Sequence, residues 1–396
     1  AKSIMGYGVP GMEEDGRALK STWHGKAPKP EVIDEMLAQL ELSEEEQTQL
    51  DDFVKEANYQ PKQPSFTEDL TKLDIKTGTP RVFAADELTD CRSAYGKALL
   101  DLAQDNKEIL AGTADLGGSV MTKFVAAEVP DQFIEFGICE QNMVSAAGGL
   151  SIEGKIPFVS TFGAFMTSRA KDQARVNDIN RTNVKMVSTH CGLSVGEDGP
   201  THQAIDDMGS MLGFFHTHVI EPADPNHCDR IIRYAASHYG NFYIRMGRHK
   251  LTVLTREDGS ILFDGDYQYE YGKTEILRKG SAVTIVATGA CVIEALRARE
   301  SSGVDAEIII ASSIKKFDQQ LVQSLQKTKK VITIEDHNAA SGLGGAVAKF
   351  ALEESIKLDH FENLAVREYQ LSGKPAELYA KAGIDAAALE KSLKAL

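Results

Sequence analysis

Little in this chain suggests chemistry held together by sulfur. Five cysteines, Cys91, Cys139, Cys191, Cys228 and Cys291, are spread over 396 residues with no CxxC pair. An odd, scattered set excludes a disulfide framework and a cysteine zinc site, and a reducing, cytoplasmic location is the expectation. Positive charge is also short, with 43 Lys and Arg against 58 Asp and Glu and a formal charge of -15. Such a balance disfavours nucleic acid as a partner and means that an anionic substrate must be drawn by a local cationic pocket. No apolar run reaches the roughly 18 residues a membrane span needs, and the opening residues do not read as a secretory signal. What remains, 42% hydrophobic and 26% charged, is the composition of a soluble globular protein with room for two or three domains.

The chain divides into three parts. An opening stretch to about residue 28 ends in Trp23-His24-Gly25-Lys26. A polar, acid-rich section follows, with amphipathic helices expected at 31–40 and 43–57, the second capped by Ser43 with Glu46 three residues on. From 81 to about 248 apolar strands, expected at 109–114, 133–138, 158–161, 184–187, 217–220 and 242–244, alternate with helical periodicity, which predicts a parallel α/β domain. A smaller α/β unit begins near 271, with strands expected at 282–287, 306–310 and 331–335 and a helix at 346–354. Ser341-Gly342-Leu343-Gly344-Gly345 could cradle a phosphate, but close helix–sheet packing is the preferred reading. Asp336-His337 reads as a strand-end turn without a catalytic role.

One carboxylate stands apart. Glu140 follows the apolar run 133–138 and precedes a small-residue helix start at 145–150, so it sits at a strand-to-helix junction. Burial raises a carboxyl pKa, so a group there can share a proton with a nitrogen base near neutral pH. A plain helix N-terminal glutamate is the competing reading. Further on, Thr189-His190-Cys191-Gly192 and Gly196-Glu197-Asp198-Gly199-Pro200-Thr201-His202 place titratable residues in a punctuated loop after an apolar strand.

Taken together, FGICEQNMV, STFGAFMTSRAKDQ and STHCGLSVGEDGPTHQ resemble the pyrimidine-binding domain of transketolases, thiamine diphosphate enzymes that move two-carbon ketol units between phosphorylated sugars. The resemblance extends over nearly the whole chain. It implies a tail of the diphosphate-binding domain at 1–28, carrying a WHGK motif, a helical linker at 29–80, a parallel-sheet thiamine-diphosphate pyrimidine-binding domain at 81–255 and a smaller transketolase C-terminal-like α/β domain at 265–396. The GDG motif that holds the diphosphate through Mg²⁺ or Ca²⁺ has no counterpart here. The implied protein is therefore one polypeptide of a split transketolase, or a fragment, whose partner is an N-terminal chain carrying the diphosphate-binding domain. A dimer or heterotetramer is expected, and no metal ligands are expected on this chain.

Residue by residue, the resemblance implies that Glu140 faces N1' of the aminopyrimidine, that Phe162 and Phe165 embrace that ring, and that Ile138 props the cofactor. Without it, the phenylalanine pair and Ile138 would be read as core. His202 and Asp198 match positions that contact substrate hydroxyls, and His24 one near the reacting centre. Arg92, Ser119, His190 and Arg248 match a phosphate-binding set, suited to the planar fork of arginine. On residue type alone Arg92 would be a surface helix arginine, and Arg245 rivals Arg248. Ser168 and Gln141 depart from the aromatic and histidine of some family members, which leaves the subgroup open. The alternative enzymes are 1-deoxy-xylulose-5-phosphate synthase, disfavoured by a loop suited to ketose hydroxyls, and the β subunit of a 2-oxo-acid dehydrogenase, which has no use for a phosphate cluster. A non-catalytic assembly subunit is the reading of another class.

Overall fold

The computed structural model describes residues 67–396, with 29–38 and 41–57 and the backbone of 13–14 and 17–18. Two compact units divide the chain, 1–65 and 66–396. In the first, the helices Pro30–Ala38 and Glu44–Ala57 form as their amphipathic pattern predicts. The second opens on a capping box, in which Ser43 N–H donates to Glu46 Oε2 (2.9 Å) and Glu46 N–H to Ser43 Oγ (3.2 Å).

The second unit carries two large sheets, besides a short antiparallel pair of Leu88–Thr89 with Leu251–Thr252. The first contains β1 (Ile109–Thr113), β2 (Phe133–Glu135), β3 (Ile156–Phe162), β4 (Lys185–Thr189), β5 (Thr217–Ile220) and β6 (Asn241–Arg245), ordered β2-β1-β3-β4-β6-β5. Every pairing is parallel. All of β3, β4 and β6 is buried, as expected of strands covered by helices on both faces. Among those helices are α1 (Cys91–Asp105), α2 (Glu140–Ile152), α3 (Gly163–Arg169), α4 (Lys171–Ile179) and α5 (Pro225–Ser237). Asp90 caps α1 by accepting from Ser93 N–H at 3.0 Å, and Asp224 caps α5 through His227 N–H at 2.7 Å.

The second sheet runs β7-β9-β8-β10-β11, from β7 (Glu275–Arg278), β8 (Val283–Ala287), β9 (Ala306–Ile310), β10 (Lys330–Asn338) and β11 (His360–Val366), with β7 antiparallel at one edge. Its helices include α6 (Cys291–Ser302), α7 (Gln319–Thr328), α8 (Leu343–Glu353), α9 (Pro375–Ala382) and α10 (Ala386–Lys394). The two sheets meet beyond β5, where Ile220 bridges Ser313 and Glu221 N–H donates to Ser312 O at 2.9 Å.

Several boundaries differ from the sequence expectation, each for a local reason. The strand expected at 133–138 stops at Glu135, because its carboxylate draws in Asp115 N–H (2.7 Å) and Gly137 N–H (2.9 Å) and the chain turns at Gly137 with φ +64°. The helix after it begins at Glu140 and not near 145. The helix expected from 346 begins at Leu343, since the buried Glu335 carboxylate accepts from Leu343 N–H (2.6 Å) and Gly344 N–H (2.8 Å). Those orphan donors are thereby satisfied from within, which leaves the glycine cluster to close packing: a Cβ on Gly344 would lie 2.3 Å from Asn363. Asp336 and His337 belong to β10 and not to a turn at its end.

Candidate functional site

The first sheet has its topological switch beside β1, where the chain leaves for β2 on one side and returns to β3 on the other. Ligands of open α/β sheets bind at the carboxyl ends of strands near such a point. Every described site residue expected from sequence lies beyond a strand's carboxyl end or, for Arg92, at the start of α1. Ser119 follows β1, Ile138 and Glu140 follow β2, Phe162 ends β3 and Phe165 follows it, His190, Asp198 and His202 follow β4, and Arg248 follows β6.

Glu140 is the first residue of α2 and is 2% exposed. Its Oε1 pairs with Arg169 Nη1 at 2.6 Å. That arginine also lies over the Phe165 ring, 4.0 Å from its centre. Phe165 stacks on Phe162, with centroids 5.6 Å apart and planes 21° apart. Phe162 in turn stacks on His190 at 3.9 Å, and His202 stands edge-on to Phe165 at 5.2 Å. A carboxylate, a cation, two phenyl rings and two imidazoles thus form one continuous wall.

Beyond His190 the wall turns cationic. Arg92 Nη1 donates to Ser119 O at 3.2 Å and faces His190 Nε2 at 3.5 Å, and its Nη2 donates to Arg248 O at 3.1 Å. Its side chain is 13% exposed and pairs with Asp90 at 3.2 Å, so it is not a surface arginine. Burial lowers the Arg92 pKa first, with Asp90 opposing and Arg248 adding to the drop. Burial, then the charges of Arg92, Arg248 and His202, push His190 down to about 3, so its ring is neutral. Because arginine only donates, Nε2 is the acceptor and the proton sits on Nδ1, 2.8 Å from Thr189 Oγ1. His190 also holds φ +58°, a left-handed conformation uncommon outside glycine. Arg248 leans on the loop after β4: Nη1 donates to Val195 O at 3.0 Å and lies 3.8 Å from Asp198 Oδ2.

Ile138 is 74% exposed, in contrast to the core placement that its residue type suggests. His24 lies outside the described residues, as do Trp23 and Lys26.

The two arginines sit in different settings. Arg245 is fully enclosed, with Nε 2.7 Å from Asp207 Oδ2 and Nη1 2.5 Å from Glu221 Oε1, and it donates to Ala204 O and Asp336 O as well. Four of its five N–H donors are engaged inside the protein, whereas the side chain of Arg248 is 41% exposed. Arg169 was missed from sequence. Its signal was the i, i+4 spacing from Phe165 on one helix face.

Among the described residues no group of three His, Cys, Asp or Glu could hold a metal ion, and no helix is long and apolar enough to cross a membrane.

Residues 88–253 match the family model of the transketolase pyrimidine-binding domain, and 272–389 that of the transketolase C-terminal domain. The chain is 36% identical over 307 residues to a Methanocaldococcus jannaschii protein named as a transketolase C-terminal section, covering 76% of this chain and 94% of that one. It is 31% identical over 405 residues to human transketolase, covering 100% of this chain and 61% of that enzyme's length. Among solved structures, a split-gene transketolase described as an inactive β4 tetramer superposes with a TM-score of 0.68 at 34% identity, over 78% of this chain and 97% of that one. Transketolase from Campylobacter jejuni shares the fold, with a TM-score of 0.69 at 21% identity over 92% of this chain and 54% of that one.

Proposed function

This chain belongs to the transketolase family, and on that premise we propose that it supplies the pyrimidine-binding half of a transketolase that moves a two-carbon ketol unit from a ketose phosphate to an aldose phosphate. The observation that carries the reading is the unbroken wall from Glu140 through Phe165, Phe162 and His190 to Arg92 and Arg248, an acid-and-aromatic end joined to a cationic end. We take 81–255 and 265–396 as its two domains, 29–80 as the connecting segment and 1–28 as the tail of a diphosphate-binding domain.

The residues fit the aminopyrimidine end of thiamine diphosphate. A buried carboxylate at a helix start, two stacked phenyl rings and an exposed apolar Ile138 offer a proton partner and two apolar surfaces for a flat heterocycle. When bound, that cofactor supplies the carbon nucleophile that attacks a ketose carbonyl. Glu140 offers its carboxyl group to the ring's N1' nitrogen, with Arg169 fixing its orientation. Phe162 and Phe165 exclude water from the ring face. His202 and Asp198 hydrogen-bond the sugar's hydroxyls, and His24 acts near the reacting centre. Arg92, Ser119 and Arg248, with neutral His190 beside Arg92, hold the phosphate at the far end, as charge-assisted donors do.

Mg²⁺ or Ca²⁺ and the diphosphate belong to a complementary N-terminal polypeptide, and the assembly is a dimer of such pairs, a heterotetramer. The likeness to a split-gene transketolase and to an archaeal C-terminal section supports this arrangement. So do exposed apolar side chains such as Ile138, Ile179 and Phe215, the last 89% exposed, which call for cover. Five free cysteines, four of them buried, favour the cytoplasm. The test is to purify this chain, titrate thiamine diphosphate calorimetrically, and assay ketol transfer before and after adding a polypeptide that carries the GDG motif. Weak binding alone, with activity and metal-dependent affinity on reconstitution, is expected. Full activity of the isolated chain would refute the split arrangement, and inactivity of the reconstituted pair would refute the enzymatic reading.

A further inference from the structure

One buried carboxylate ties the C-terminal lobe to the loop beneath the cationic corner. Asp336, near the end of β10, accepts Leu193 N–H on Oδ1 at 2.8 Å and the Tyr379 hydroxyl on Oδ2 at 2.7 Å. Leu193 opens the loop on which Arg248 rests: Ser194 Oγ accepts from Arg248 N–H at 3.1 Å, and Val195 O from Arg248 Nη1 at 3.0 Å. The approach is close on both sides of that loop. A Cβ on Gly192 would stand 2.1 Å from Asp336 Oδ2, and one on Gly247 would stand 2.5 Å from Ser194 Oγ. The Tyr379 ring meets His249, the neighbour of Arg248, edge-on at 5.9 Å. Asp336 and Tyr379 are each 5% exposed, so both lie behind the surface that carries Arg248.

Both segments that carry Arg248 therefore bear on one carboxylate–phenol pair from the other lobe. We infer that Asp336 and Tyr379 are positioning residues for Arg248, which makes the C-terminal lobe a determinant of the preference for phosphorylated over unphosphorylated sugars. The inference rests on the reading of Arg248 as a phosphate ligand. A buried carboxylate accepting a backbone N–H and a phenol holds its donors rigidly, and a clamp displaced by about 1 Å can lose up to about 100-fold in kcat/KM.

The test uses the enzyme reconstituted with its complementary polypeptide and compares an aldose phosphate with the same aldose unphosphorylated. Tyr379→Phe removes one hydroxyl and keeps Asp336 bonded to Leu193, while Asp336→Asn weakens both contacts. Each is expected to raise KM for the phosphorylated sugar, Asp336→Asn by up to about 100-fold and Tyr379→Phe by less, with kcat and the unphosphorylated reaction within about twofold. Combining Tyr379→Phe with Arg248→Ala should cost no more than Arg248→Ala alone, since both act through one contact. Equal losses on the two sugars, or additive losses in the double variant, would overturn the inference. Discrimination lost in Arg248→Ala but kept in Tyr379→Phe and Asp336→Asn would also overturn it and leave the phosphate reading standing. An Arg248→Ala enzyme that still prefers the phosphorylated sugar would remove both. Should Asp336→Asn fail to fold, Tyr379→Phe decides alone.

Discussion

Glu140 and Arg169 set the terms at the scale of single residues. The carboxylate is buried while its cation is 41% exposed, so the pair is anchored from the protein side and open to water on the other. Glu140→Gln should therefore keep the fold, because the freed guanidinium stays solvated, while kcat of the reconstituted enzyme falls by about 10² to 10⁴, the usual worth of positioned acid–base catalysis. Circular dichroism beside steady-state rates checks this, and near-full kcat with cofactor saturating would contradict the role given to Glu140. The two arginines after β6 should separate cleanly. Arg245→Ala leaves Asp207 and Glu221 without their cation in the interior and should cost about 3–5 kcal/mol in urea unfolding. Arg248→Ala should change stability by no more than about 0.5 kcal/mol. It should instead lower kcat/KM for phosphorylated sugars about 10- to 150-fold, the loss of a charge-assisted hydrogen bond of about 1.5–3 kcal/mol.

At the scale of elements, the segments that leave the strands' carboxyl ends hold most of the candidate site residues. The segment 192–199 departs from β4 through Gly192 at φ +75° and ψ −168°, a region open in practice only to glycine. Gly192→Ala should cost about 1–3 kcal/mol by that strain, and its new methyl, directed at Asp336, should shift the loop and weaken the reaction of phosphorylated sugars more than that of unphosphorylated ones. Urea midpoints and paired KM values test this, and an unchanged midpoint would show that the loop adjusts freely. Boundaries at this scale were only partly legible. The capping box of Ser43 and Glu46 and the aspartate caps are local signals. The early start of α8 and the truncation of β2 depend on Glu335 and Glu135, whose carboxylates serve backbone groups up to 20 residues away. β7 and β11, edge strands with partly exposed residues, carried too weak a pattern to be anticipated.

Across the whole molecule, buried titratable groups oppose one another. Burial holds His190, His218 and His227 at about 3 and His249 and His337 at about 4, well below the ordinary 6.5. Burial also raises Glu221 and Glu335 to about 7 and Asp224 to about 6. Between pH 6.5 and 5 the unfolded histidines bind protons that the folded ones refuse, so their contribution to stability falls as pH falls. The three carboxyls do the reverse, being protonated when folded and ionised when unfolded. Five histidines outweigh three carboxyls, so Tm should drop from pH 7 to pH 5. Differential scanning calorimetry at the two values checks it, and an equal or higher Tm at pH 5 would contradict the balance.

Sequence by itself determined the class of the protein and the chemical kinds present at its site. Alternating apolar runs and helical periods require a parallel α/β sheet, and the strings around Glu140, Phe162 and Asp198 carry the family, because residue type and spacing along the chain are local properties. Long-range packing in the tertiary structure set which of two arginines three residues apart stays partly exposed, which cation meets Glu140, and that a carboxylate 143 residues beyond Leu193 supports the loop opposite. It also exposed Ile138, which composition alone assigned to the core. Those choices follow from strand order and lobe packing. A charged side chain settles where distant partners compensate its desolvation, and no pattern local to Arg245 or Arg248 records where Asp207, Glu221 and Asp336 will lie.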